Sequence, residues 1–239
     1  MATTETPWCG IADDKLYLQS GQFSATLKTS LSVGTVDARP ESLEWDGVNT
    51  VWSGKGDDKL YLQSGKFSAT IKTSLALTGG DDPTGVGEDS TNTLWTSDIL
   101  DKLILQSGKF SATIKTSLDI SGVDSDATGI SYDGTNTPWS GDEAKKLYLQ
   151  SGQFNATIKD SEDVSGVDTG LGGISWDGTN TPWVGFAADK LYLQSGQFST
   201  TLKTSLSVTG VDTQPLGIST DDNNGRLEIG GFTPMAIIF

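Results

Sequence analysis

Carboxylates and indoles are the residues with chemistry to offer, and both recur at fixed intervals. Asp46, Asp89, Asp133, Asp177 and Asp221 form one series, and Asp14, Asp58, Asp101 and Asp189 form a second, with Lys145 in the remaining place. Hard cations such as calcium take oxygen ligands of this kind, and paired carboxylates run glycoside hydrolysis. Trp8, Trp52, Trp95, Trp139 and Trp183 make a third series. Indole faces stack on sugar rings, but one large aromatic per unit also suits packing between units. Histidine is absent and Cys9 is the single cysteine, which removes Ser-His-Asp and Cys-His catalysis, histidine zinc sites and an internal disulfide. Nearly every acid has counterparts in the other units, so no asymmetric acid/base pair stands out. The expectation is a non-enzyme without cofactor or metal site. Asp221-Asp222-Asn223-Asn224-Gly225 is the best local calcium candidate, and it lacks EF-hand spacing.

These series ride on a repeat. The string K-L-[YI]-L-Q-S-G-[QK]-F begins at Lys15, Lys59, Lys102, Lys146 and Lys190, each preceded by one of the five tryptophans. Repeat units fall near 6–49, 50–92, 93–136, 137–180 and 181–224, followed by a non-repeat tail, 225–239. Within a unit, Gly173–Asp177 and Thr181–Val184 are short β-type runs. Lys190–Gln194 alternates, and Phe198, Thr200 and Leu202 alternate against Ser199, Thr201 and Lys203. That is the strand period. Asp-Gly and Ser-Gly between runs are hairpin-turn chemistry. Four short antiparallel strands, A to D, in roughly 40–45 residues match one propeller blade. The sequence therefore predicts an all-β, five-bladed β-propeller. The A strands are placed at Leu43–Asp46, Val86–Asp89, Ile130–Asp133, Ile174–Asp177 and Ile218–Asp221, the last pairing with Pro7–Cys9 to close the ring.

Charge and hydropathy narrow the partners. The 239 residues carry 16 Lys+Arg against 31 Asp+Glu, a net charge of −15, which repels nucleic-acid phosphates. No apolar run approaches the roughly 20 residues of a membrane-spanning helix, and no signal peptide is visible at the start.

The P-L-G-I-S of Pro215–Ser219 and the D-G-T-N-T-P-W of Asp177–Trp183 resemble blades of NHL- and YncE-like propellers, in which strand A lines the central channel. Across 6–221 the repeat also resembles those in tail and structural proteins of marine bacteriophages. That second likeness implies a virion protein whose partners are other virion proteins and a host-surface glycan or receptor.

The A–B turns (DGVN, DSTN, DGTN, DGTN) and C–D turns (QSG) hardly vary, whereas the B–C and D–A loops diverge. In a meander those two groups lie on opposite faces. Long loops drift freely, yet a face that contacts a partner would diverge in the same way. On the second reading Ile11, Lys55, Ile99, Leu100, Glu143 and Phe186 contact the receptor. The tail is either a strand capping a blade edge or a peg for another subunit, with Phe232, Met235, Ile237, Ile238 and Phe239 as virion-attachment residues. A free multivalent lectin, located extracellularly, is the alternative function.

Overall fold

The structure is a computed structural model that describes residues 5–77 and 81–220. Among these every element is a strand, and they form five four-stranded antiparallel sheets. Blade 1 holds β1 (Thr6–Gly10), β2 (Lys15–Gln19) and β3 (Leu27–Ser32). Blade 2 is β4 (Pro40–Trp45), β5 (Asn49–Gly54), β6 (Lys59–Ser64) and β7 (Ile71–Ala76). Blade 3 is β8 (Pro83–Glu88), β9 (Thr93–Ser97), β10 (Lys102–Gln106) and β11 (Ile114–Asp119). Blade 4 is β12 (Ala127–Ile130), β13 (Thr137–Gly141), β14 (Lys146–Gln150) and β15 (Ile158–Asp163). Blade 5 is β16 (Leu171–Ile174), β17 (Asn180–Gly185), β18 (Lys190–Ser195) and β19 (Leu202–Ser207). The inner strand of blade 1 is β20 (Pro215–Ile218), which pairs Ile218 with Trp8 and Gly217 with Cys9. The ring closes as the sequence predicts, by a strand from the far end of the repeats.

Strand boundaries differ from the sequence reading at several points, and the inner strands of blades 4, 5 and 1 already end at Ile130, Ile174 and Ile218. Inner strands begin about three residues earlier, at Pro40, Pro83, Ala127, Leu171 and Pro215. The outer strand of blade 5 begins only at Leu202, so the alternation at Phe198 and Thr200 is not strand. Phe23, Phe67, Phe110, Phe154 and Phe198 all take the left-handed conformation, with φ between 54° and 60°. Each turns the chain after the C strand, and Phe154 and Phe198 bury their rings. Burial of the ring offsets a backbone state that bulky residues avoid.

The core is divided among the five junctions. Each cluster joins Leu or Val side chains of one blade to the Trp and inner-strand aliphatics of the next; Leu147, Leu149 and Val164, for example, meet Leu171, Ile174, Trp183 and Tyr192. The five repeated indoles are fully or almost fully buried. In four blades the indole stacks on the tyrosine paired with it across strands, at centroid distances of 4.1–4.2 Å. Such a pair adds roughly 0.5–1.5 kcal/mol to its area burial.

Glycine draws the inner strands together. A Cβ on Gly85 would come within 2.9 Å of Gly129 Cα, one on Gly129 within 2.6 Å of Gly173 Cα, and one on Gly173 within 3.0 Å of Gly217 Cα. One on Gly217 would meet Ser42 Cα at 2.5 Å. The hub is thus built from backbone touching backbone around the axis. The outer strands are the opposite case, exposed along most of their length, and each carries a lysine at its second position (Lys28, Lys72, Lys115, Lys159, Lys203). Charge on a free edge discourages pairing with other chains.

Candidate partner-binding face

The A–B turns explain their own constancy. Asp46 Oδ1 accepts from the backbone N–H of Val48 at 2.8 Å and of Asn49 at 2.6 Å, and Asp89, Asp133 and Asp177 repeat this cap. The second carboxylate oxygen belongs to the next blade. Gln22 donates to Asp177 at 2.6 Å, Gln153 to Asp89, Gln197 to Asp133, and Lys109 to Asp46 at 2.8 Å. Every [QK] of the QSG[QK]F turn with a described partner of this kind therefore laces its blade to the preceding one. Lys109 also reaches Glu88 at 2.6 Å, and both its carboxylate partners are almost wholly buried. Burial alone would raise Asp46, but the Lys109 ammonium and two backbone N–H groups hold its carboxyl below the usual range. Lys66 packs over the Trp45 ring at 4.9 Å and pairs with Glu5 at 3.1 Å. This face is fixed by bonds between blades.

The opposite face uses a different device. In four blades one aspartate of the D–A loop lies against the strand-end glycine and the tyrosine, and in three of them it also accepts from N–H groups of the B–C loop. Asp37 accepts from the N–H groups of Arg39, Gly56 and Asp57 at 2.9–3.1 Å, and from Tyr61 Oη at 3.4 Å. Asp124 does the same with Asp126, Glu143, Ala144 and Tyr148, while Asp212 binds Asp13, Gln214 and Tyr17 and Asp168 binds Gly170 and Tyr192. A strand-end glycine leaves room for the carboxylate: a Cβ on Gly10 would meet Asp212 Oδ2 at 2.5 Å. Burial and the facing carboxylate push the Tyr192 phenol up to about 12, and Tyr17, Tyr61 and Tyr148 upward as well. These tyrosines are hydrogen-bond donors, not bases.

Among the described residues blade 3 shows no such device. Ile104 stands where the others have tyrosine, Ser97 where they have glycine, and the D–A loop 77–82 is one residue shorter than its four counterparts. Ser97 Oγ instead accepts from Leu100 N–H at 3.1 Å. On this blade Ile99 is 59% exposed and Leu100 37%.

The six residues expected to contact a partner all lie on this face, at different distances from solvent. Ile99 and Leu100 protrude. Ile11 is half-buried, its N–H bonded to the Gln214 carbonyl at 3.1 Å. Lys55 is mostly buried and paired with Asp98 of the next blade at 2.5 Å and Asp82 at 3.7 Å. Glu143 is exposed, its carboxylate accepting from Ser125. Phe186 lays its ring against Gly170 and is half-buried. Glu41, missed in the sequence, sits buried beside this cluster and accepts from Arg39 at 2.9 Å. Its burial outweighs the attraction of Arg39 and Lys55, and the carboxyl is pushed up to about 7.

The remaining features of the sequence take these positions in the structure. Asp14, Asp58, Asp101, Lys145 and Asp189 share φ values of 50–56°, so the second acidic series serves a left-handed turn. The five repeated indoles, being buried, offer no stacking face to a sugar. The described residues hold no group of three or more metal-type ligands. Asp221–Gly225 and the tail residues Phe232, Met235, Ile237, Ile238 and Phe239 lie outside the described residues. None of the described elements is a helix able to cross a membrane.

No family model matches the sequence, and no curated protein matches it either. Solved structures do resemble its fold. A chain of a nidogen/laminin complex aligns over 91% of this chain and 98% of its own, at TM-score 0.60 and 12% identity. Glutaminyl cyclase of Myxococcus xanthus aligns over 77% and 70%, at TM-score 0.54 and 12% identity. Virginiamycin B lyase of Staphylococcus aureus aligns over 89% and 69%, at TM-score 0.51 and 13% identity. Identities this low speak to fold alone, and the chain is a five-bladed β-propeller of that general shape.

Proposed function

We propose that the protein is a non-enzymatic attachment module of a virion, of the tail or fibre type, that presents its B–C/D–A face to a host-surface receptor. The observation that carries this reading is the loosened rim of blade 3. Three blades tie their B–C loops down with a buried aspartate and a fourth bonds the equivalent Asp168 to Tyr192, whereas blade 3 shows no such bond among the described residues and projects Ile99 and Leu100 into water. Exposed apolar side chains on an otherwise acidic surface suit contact with another molecule. A chain of a nidogen/laminin complex aligns over almost its whole length, which supports a binding role for this fold. Against catalysis stands the absence of histidine: a neighbouring virginiamycin B lyase is rendered inactive by replacing a single histidine with alanine. The opposite face, laced between blades, and the C-terminal segment are left for mounting on other virion proteins.

Labelled protein incubated with host cells tests the reading. Ile99→Asp with Leu100→Asp should reduce saturable binding at least tenfold, while Val123→Asp, an exposed apolar position of the next D–A loop, should not. Equal binding by all three proteins would overturn it. A glycan array separates a sugar receptor from a protein one.

A further inference from the structure

Four of the repeated indoles stand at one end of a continuous path to a carboxylate. Trp8–Tyr17, Trp52–Tyr61, Trp139–Tyr148 and Trp183–Tyr192 stack at centroid distances of 4.1–4.2 Å with planes 16–18° apart. At the far end of each phenol lies one aspartate. Tyr17 and Tyr192 donate to Asp212 and Asp168 Oδ2 at 3.1 Å, and Tyr61 and Tyr148 to Asp37 and Asp124 Oδ2 at 3.4 Å. These aspartates are only 2–4% exposed. Core packing explains the stack and loop anchoring explains the hydrogen bond, but neither requires both on one ring.

The two together suit the transfer of one electron with one proton. A phenol gives up an electron readily only when its proton leaves at the same moment. An indole oxidised in this core keeps its own proton. Trp8, Trp52 and Trp183 Nε1 have no hydrogen-bond acceptor among the described residues, and Trp139 Nε1 faces the neutral Gln150 amide oxygen at 3.4 Å. The indole radical cation thus stays a strong oxidant beside a phenol whose proton already points at a base. Electron and proton then leave the tyrosine by opposite ends, from ring to indole and from Oη to Oδ2. Indole radical cation, phenol and carboxylate become indole, phenoxyl radical and carboxylic acid.

We propose that blades 1, 2, 4 and 5 each hold a one-electron relay that restores a buried indole oxidised by a radical or by light, with tyrosine as electron donor and aspartate as proton acceptor. The oxidising equivalent moves from the core to the loop rim, where a small reductant returns the electron and the aspartic acid returns the proton. Blade 3 pairs Trp95 with Ile104 and has no such route. The relay is independent of the virion reading, because it uses only side chains inside the blades. Flash photoionisation of the full chain at the red edge of indole absorption, followed by transient absorption, is the test. Four of the seven tryptophans carry the stack, so about four sevenths of the indolyl signal should convert to phenoxyl. Heavy water should slow that conversion. Tyr192→Phe, which keeps the stack, should cut the phenoxyl yield by about a quarter, one blade in four. Asp168→Asn keeps an acceptor but not a base, and should slow the same quarter about a hundredfold, the lower end of what a positioned base contributes. Near-ultraviolet circular dichroism confirms the fold of both variants. Absence of conversion, a yield unchanged by Tyr192→Phe, or a rate indifferent to heavy water and to Asp168→Asn would overturn the proposal.

Discussion

The aspartate tie makes a quantitative prediction in blade 1, where it also holds the ring closure. Asp212 lies just before β20 and accepts from Tyr17 Oη at 3.1 Å, Gln214 N–H at 2.8 Å and Asp13 N–H at 3.3 Å. Asp212→Ala leaves these donors without their acceptor. Tyr17 Oη keeps weak alternatives in Asp13 and the Val211 carbonyl, at 3.4 and 3.5 Å, and the Asp13 amide sits in a loop that water reaches. The loss is therefore nearer one orphaned group than three, about 1–3 kcal/mol. Gly10→Ala acts on the same atoms, because its Cβ would stand 2.5 Å from Asp212 Oδ2 and must displace the carboxylate. That substitution forfeits the same hydrogen bonds and adds overpacking, for about 3 kcal/mol in all. In the Asp212→Ala background the obstacle is gone, and Gly10→Ala should then be neutral within about 0.5 kcal/mol. Denaturant titration of the four proteins gives the coupling energy, expected at about 3 kcal/mol. Additive effects would refute the reasoning, since both changes are argued to act through one carboxylate.

Two further outcomes follow from buried charge. Lys109→Ala removes the ammonium shared by Glu88 and Asp46, and because the lysine is a third exposed and Asp46 keeps its two backbone N–H donors the loss should be about 1–3 kcal/mol, a fall of roughly 5 °C in melting temperature. Lys109→Gln, the residue of blades 1, 4 and 5, should lose less. Glu41 sets a pH dependence: its folded value of about 7 exceeds the ordinary 4.5, so its contribution is complete below pH 4.5 and is lost as pH rises through 7. Thermal stability should fall between pH 5 and 8 by up to about 3 kcal/mol, and Glu41→Gln should flatten that slope.

Blade number, strand count and closure were legible because they depend on local patterning: the period-two runs, the Asp-Gly turns and a spare A strand at the far end. The aspartates that cap A–B turns were legible for the same reason, being two and three residues from their donors. Phe198 misled because its alternation with Thr200 and Leu202 mimics a strand, and only burial of its ring against the neighbouring blade explains a left-handed backbone there. The ties on the variable face join residues about 20 positions apart, such as Asp37 and Asp57, so no short window contains them. A signal existed nonetheless. Tyrosine and glycine disappear together in unit 3, as Ile104 and Ser97, and that joint loss marks two residues sharing one contact.

The glycine hub carries an arithmetic meaning. Each copy would pack as well against a sixth as against a fifth, for the indole junctions are interchangeable and nothing in them limits the tally. What limits it is the axle: Gly85, Gly129, Gly173 and Gly217 let inner backbones touch only at the radius of a pentagon. An added copy would spread that axle and forfeit every one of those approaches together, so unequal recombination among these near-identical segments meets its check at the centre of the wheel.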